Sequence, residues 1–312
     1  MDDREEQTPF KREFREEVAA LLDEKGRKEF TIGIAGIGIS FLFDQDLSEL
    51  DVEATNRVFI TDIGEDIKLH VHHGHVPELI KKEKIFDSGR TWAFYRSDGK
   101  YVLQNDALES GSSPNTYLVL EPDFKSGEVY IRNDAFNQDL VRDLLGYPLN
   151  QILMILLLSL GKGIVLHACG IDDRGCGYLF LGNSGHGKST IAKLWFENHA
   201  TVLNDDRIIV REKDGEFWMY GTPWHGDFRE LSPKGLTIHK IFFLRPGEKN
   251  SAALQKGAEA VTMLLTRSFP PLWDKKGMAY TMGLCHRIVN KIPCYELSFE
   301  PDTRIVDFVR NM

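Results

Sequence analysis

The run Gly182-Asn183-Ser184-Gly185-His186-Gly187-Lys188-Ser189 constrains this chain more than any other feature, because it fits the pattern G-x-x-x-x-G-K-[ST]. The β-type stretch Tyr178-Leu179-Phe180-Leu181 precedes it, and the helical stretch Thr190-Ile191-Ala192-Lys193-Leu194-Trp195 follows. Strand, glycine loop and helix in that order turn backbone N–H groups inward as a nest for phosphate oxygens, with the positive end of a helix behind them. Lys188 then reaches the β and γ phosphates, and Ser189 offers an oxygen to Mg²⁺. The expected nucleotide contacts are the eight loop residues and Thr190.

Fifteen residues after Ser189 begins Asn204-Asp205-Asp206-Arg207, where the short apolar strand Thr201-Val202-Leu203 should end. Two adjacent carboxylates at a strand end can divide their work. One holds Mg²⁺ and the other accepts the proton of an attacking hydroxyl. Loops at strand ends of α/β folds carry such sites. Two nucleotide-dependent classes lack support. The Asn290-Lys291 pair is followed by Ile292-Pro293, which does not complete an N-K-x-D base-reading element, and no L-S-G-G-Q-like run is present.

A length of 312 residues suggests two domains, and 42% hydrophobic with 27% charged residues is a globular composition. The net charge of -9 speaks against binding nucleic acid over a broad surface. That total is unevenly spread. Residues 1–150 hold 18 Lys and Arg against 30 Asp and Glu, whereas residues 151–312 hold 20 against 17, so the second half suits an anionic ligand. If the acidic half recognises an acceptor, that acceptor is basic. Cys169, Cys176, Cys285 and Cys294 form no C-x-x-C pair, and they read as free thiols. The charged start Met1-Asp2-Asp3-Arg4-Glu5-Glu6 predicts no signal peptide and a cytoplasmic address. The longest apolar run, residues 152–160, is too short to cross a membrane.

Residues 10–29 have helical spacing. Residues 30–43, 58–61, 67–71, 92–96, 101–104, 117–120 and 128–132 read as strands, with Ser97-Asp98-Gly99-Lys100 as a hairpin turn and residues 109–115 as a loop. After a helix over 148–160, the pattern alternates. Strands are expected over 164–171, 178–181, 201–203, 208–211, 217–220, 241–244 and 295–299, and helices over 189–196, 258–266, 277–290 and 303–311. The expected organisation is a β-rich α+β accessory or substrate-recognition domain over 1–145, followed by an α/β domain over 146–312.

His167 in Val165-Leu166-His167-Ala168, the loop at 182–189 and the Asp205-Asp206 pair, taken in that order, resemble a known family. It is the C-terminal kinase domain of HPr kinase/phosphorylase and of the related ATP-dependent phosphoenolpyruvate carboxykinases. The resemblance covers about residues 146–300. It implies an α/β P-loop kinase domain that uses ATP and Mg²⁺ to phosphorylate a serine hydroxyl. It further implies Asp205 in the place of the catalytic carboxylate, Asp206 and Ser189 near the metal, and His167 supporting the carboxylate. Asn183 stands where the family has Asp, and His186 where an apolar residue is common. The chain is more similar to HPr-kinase-related proteins, some of which resemble peptide serine kinases. The acceptor is expected to be a hydroxyl-bearing protein, peptide or small molecule, and self-association into a homo-oligomer is left open. Two alternatives share these residues: a non-catalytic nucleotide-binding regulator and a small-molecule kinase.

Other residues weighed are His225 and Asp227, as substrate or metal contacts or as turn structure. Arg207 is read either as a phosphate ligand or as a partner of Asp206. Arg267 is read as a helix-end cation or a nucleotide contact. His70-Val71-His72-His73-Gly74-His75 puts two histidines on one strand face, and it reads as a solvated strand end in preference to a metal site. Gly33-Ile34-Ala35-Gly36-Ile37-Gly38 has the wrong glycine order for a dinucleotide fingerprint and reads as a strand.

Overall fold

A computed structural model describes residues 29–43, 57–74, 83–89, 91–105, 116–132 and 149–312. The expected helix over 10–29, apart from Glu29 in the first strand, the loop over 109–115 and His75 lie outside these residues. The chain divides into two compact units, Met1–Asn150 and Gln151–Met312.

The described part of the first unit is an eight-stranded mixed sheet. Its strands are β1 (Glu29–Ile34), β2 (Ile37–Phe43), β3 (Ile67–Gly74), β4 (Glu83–Asp87), β5 (Trp92–Ser97), β6 (Lys100–Asn105), β7 (Thr116–Leu120) and β8 (Ser126–Arg132), in the order β1-β2-β3-β8-β7-β6-β5-β4. Strand β3 runs parallel to both β2 and β8, and the other pairings are antiparallel. Hairpins close through Ala35-Gly36 and Asp98-Gly99, each pair with both residues at positive φ, as a two-residue turn between twisted strands requires. The stretch over 33–38 is therefore a hairpin and not one strand. Alternation buries Phe30, Ile32, Ile39, Phe41, Leu69, Val71, Val129 and Leu118 on one face. Residues 58–61 are not the expected strand. They form a turn leading into a single bridge, Ile60 to Ile32.

The second unit is mixed α/β. It comprises α1 (Leu149–Ser159), β9 (Ile164–Asp173), β10 (Cys176–Leu181), α2 (Lys188–Glu197), β11 (Thr201–Asn204), β12 (Arg207–Lys213), β13 (Glu216–Gly221), β14 (Gly235–Pro246), β15 (Ser251–Gln255), α3 (Gly257–Leu265), α4 (Lys275–Lys291), β16 (Cys294–Phe299) and α5 (Arg304–Arg310). The strand order is β10-β9-β12-β13-β14-β16-β15, with β11 beside β9. Because β10 also pairs with β14, five strands close into a ring. Two long strands make this closure. β9 pairs with β12 through residues 164–167 and with β10 through 168–173, while β14 pairs with β13 through 235–237 and with β10 and β16 beyond.

Strand β10 from Tyr178 and β14 over residues 241–244 are buried on both faces, so these stretches read as unbroken apolar runs. Leu179, Leu181, Ile241 and Phe243 point into one core with Leu264, Leu284 and Ile288 of α3 and α4. Their neighbours Phe180, Phe242 and Leu244 point into the other, with Ile191 and Trp195 of α2 and Ile305 and Val306 of α5. Helix α4 starts at Asp274, whose carboxylate accepts hydrogen bonds from the Lys276 and Gly277 amides. Among the described residues no helix is long and apolar enough to cross a membrane.

Candidate functional site

β10 ends at Leu181 and α2 begins at Lys188, so the glycine loop is the whole connection between them. Gly185 (φ 80°) and Gly187 (φ 91°) adopt the left-handed conformation that curls the loop. Gly187 is required twice over, since a Cβ there would lie 2.6 Å from the Phe299 ring. The loop is tied down by His186, whose Nδ1 lies 3.0 Å from the Leu244 carbonyl oxygen at the end of β14. Asn183, Ser184, Gly185 and Thr190 are exposed. Lys188 is buried, at 7% exposure, and its ammonium donates to the carbonyls of Gly182 (3.0 Å) and Asn183 (3.3 Å). Burial pushes its pKa down, while the nearby charge of Asp206 opposes that shift.

The two carboxylates sit in the corner between β11 and β12, and Asn204 shapes that corner. Its buried side chain accepts from the amides of Asp206 (2.7 Å) and Arg207 (2.8 Å) and donates to the Thr222 carbonyl (2.8 Å). Asp205 is 1% exposed and turns toward the glycine loop. It accepts from the Ser189 hydroxyl (2.7 Å), the Gly226 amide (2.7 Å) and the Phe228 amide (3.0 Å). Asp206 turns the other way. His167 Nε2 lies 2.9 Å from one of its oxygens, and Arg207 donates to the other. Burial by itself raises the Asp206 pKa, but the His167 hydrogen bond and the charges of Arg207 and Lys188 outweigh it and hold the carboxyl below its ordinary range.

The side chains pair differently from what the resemblance implies, which is Asp206 and Ser189 near the metal and His167 supporting the carboxylate of Asp205. In the structure Ser189 meets Asp205, and His167 meets Asp206. The alternation of side chains around the tight Asn204 turn sends successive carboxylates to opposite sides, which residue spacing alone does not reveal.

No protein-family model matches the chain. Among curated proteins, the HPr kinase/phosphorylase of Clostridium botulinum (strain Eklund 17B / Type B) is 25% identical over 181 residues, which is 54% of this chain and 58% of that protein. The chain is similar to this HPr kinase over that stretch. It spans 58% of the length of that relative. A solved structure, the Hpr(Ser) kinase/phosphatase from Coxiella burnetii, is 13% identical and aligns over 47% of this chain and 94% of that one, with a TM-score of 0.30.

The remaining sequence candidates are spread unevenly around this site. Arg207 pairs with Asp206 and lies over the Phe269 ring, 4.4 Å from its centroid. The loop at 224–228 reaches Asp205 through its backbone. His225 Nδ1 lies 2.9 Å from the neighbouring Gly226 carbonyl oxygen, and Asp227 is exposed. Arg267 ends α3, donating to the Met263 carbonyl (2.9 Å) and resting 5.8 Å from the Phe243 ring centroid. In the first unit, His72 pairs with Glu128 and stacks on Tyr130. No metal-holding group of three His, Cys, Asp or Glu occurs among the described residues. Sequence reasoning missed Asn204, the Gly226 and Phe228 amides and Phe269. An Asn two residues ahead of a turn amide is a local signal that would have found the first; the others depend on pairings distant in sequence.

Proposed function

We propose that residues 146–312 form a P-loop kinase domain that uses Mg²⁺ and ATP to phosphorylate a hydroxyl, with a serine of a small protein or peptide as acceptor. Residues 1–145 serve as the accessory or acceptor-recognition domain. One observation carries the reading: a glycine loop that ends in Lys188-Ser189 stands beside two successive carboxylates, one hydrogen-bonded to the loop serine and the other turned to a histidine. The donor set fits the ligands. The Ser189 hydroxyl and an Asp205 oxygen, 2.7 Å apart, are hard oxygen donors suited to Mg²⁺. The buried Lys188 ammonium faces only carbonyls, and it would exchange them for phosphate oxygens. Bound Mg²⁺ would neutralise charge on the β and γ phosphates.

The protein's own groups then account for the transfer. Lys188 and the loop amides hold the triphosphate, and His167 and Arg207 hold the Asp206 carboxylate ionised and oriented. Asp206 takes the proton as the acceptor O–H bond breaks. The acceptor oxygen bonds the γ-phosphorus, and the bond from that phosphorus to the β–γ bridging oxygen breaks, its electron pair leaving on ADP. Lys188→Ala is expected to abolish transfer with the fold intact. Asp206→Asn is expected to cut turnover by about 10²- to 10⁴-fold, the usual range for a general base, with Mg·ADP affinity kept. Asp205→Asn should weaken Mg·ADP instead. Calorimetric titration of Mg·ADP alongside ATP turnover across candidate acceptors separates these outcomes, and wild-type turnover in Lys188→Ala would sink the kinase assignment.

A further inference from the structure

Asp206 is held from two sides, by His167 on one oxygen and by Arg207 on the other. Both holders touch the same ring. The Phe269 centroid lies 4.4 Å from the Arg207 guanidinium carbon and 6.3 Å from the His167 ring centroid, with the two rings inclined at 58°. Three backbone features fix where that ring stands. The Phe269 amide donates to the Val165 carbonyl (2.9 Å), Ser268 bridges Leu166, and the His167 amide donates to the Arg267 carbonyl (2.8 Å). Pro270 and Pro271 follow at once, which stiffens the exit from this bridged segment. Arg207 is pinned just as firmly. Its amide donates to Asn204, its carbonyl accepts from the Thr222 hydroxyl at 2.8 Å, and it stands opposite His167 in the β9–β12 register.

We propose that Phe269 is a positioning residue for Asp206, acting through Arg207 and His167. The inference rests on the kinase reading above. Core packing does not account for this side chain. Phe269 is partly exposed and belongs to neither hydrophobic core of the unit, and its ring contacts among the described residues are with those two groups. The face of an aromatic ring attracts a guanidinium electrostatically, which an aliphatic side chain of similar bulk does not. Removing the face frees Arg207 to swing, and the carboxylate it holds loses one of its two guides. Because proton transfer needs the base within hydrogen-bond reach of the acceptor hydroxyl, the loss falls on turnover and not on nucleotide binding.

The test compares Phe269→Leu with Phe269→Trp in the full chain, using Mg·ATP with water as the acceptor, Mg·ADP titration, and the side-chain NMR signals of Arg207 Nε–H and the His167 ring. For Phe269→Leu we expect turnover to fall roughly tenfold, about one cation–π contact, with KM for ATP and Mg·ADP affinity within about twofold of wild type. The Arg207 and His167 signals should broaden in the same variant. Phe269→Trp, which keeps an aromatic face, should restore both. Wild-type turnover and unaltered signals in Phe269→Leu would overturn the inference. So would a parallel loss of Mg·ADP affinity, or a lowered melting temperature with no rescue by Trp, since either marks ordinary packing. If the wild-type chain binds no Mg·ADP, it is the kinase reading that fails; in that case, or if water does not serve as an acceptor, the NMR comparison still decides whether Phe269 positions Arg207 and His167.

Discussion

Asp205 and Asp206 are adjacent in the chain, yet their surroundings have opposite character. Asp205 receives three neutral donors and is sealed from solvent, whereas Asp206 stays a quarter exposed between a histidine and an arginine. The first arrangement fixes an oxygen in space, and the second keeps a carboxylate charged and reachable. Gly226 belongs to the first. A Cβ at this position would come 2.9 Å from an Asp205 oxygen, so Gly226→Ala must push either the loop or the carboxylate. The expected result is weaker Mg²⁺-dependent nucleotide binding, by about 1–3 kcal/mol if one hydrogen bond to the buried carboxylate is lost. Titrating Mg·ADP and metal-free ADP side by side checks this, because only the first should change.

At the level of secondary structure, α5 is anchored by charge as well as by its apolar face. Arg310 makes two 2.8 Å hydrogen bonds to Asp173 at the end of β9 and lies over the Trp195 ring of α2. Asp173 is buried and Arg310 is not, which places the pair between the surface and interior cases. Arg310→Ala should cost about 2 kcal/mol, mostly by stranding the buried carboxylate, and urea denaturation would measure it. Elements with strong local patterns were legible in the sequence. The glycine loop, α2 and the Asp98-Gly99 hairpin each carry their own chemistry within a few residues. β4 and β15 were not legible, since both are exposed edge strands with little apolar content, and the first half of β14 hides behind Gly235, Thr237 and Lys240. At the site, the loop and the carboxylate pair could be read directly. Phe269 could not, because its place depends on a bridge to Leu166, about a hundred residues earlier in the chain.

Across the whole molecule, burial sets the state of the thiols. Cys169, Cys285 and Cys294 are buried, and Cys176 is partly exposed. Burial pushes the Cys285 and Cys294 thiols up to about 12 and raises Cys169 well above its ordinary value. Native protein at pH 8 should therefore take up one equivalent of a thiol reagent, at Cys176, and four after unfolding. Stability follows with a definite sign. The unfolded thiols ionise near 9.0 and the folded ones near 12, so their contribution is complete below about pH 9 and is lost as pH rises toward 12. Urea midpoints that stay level from pH 8 to 10.5 would contradict that burial. The passage of β9 from one partner strand to the next has a consequence for evolution and for engineering. Asp205 closes β11, which borders the β10 portion of that strand, while Asp206 opens into β12, which borders the other portion. The two carboxylates thus answer to different hydrogen-bonding neighbourhoods, joined at one peptide bond. Small changes in how β9 bends would retune the distance between them without altering a single residue of the glycine loop.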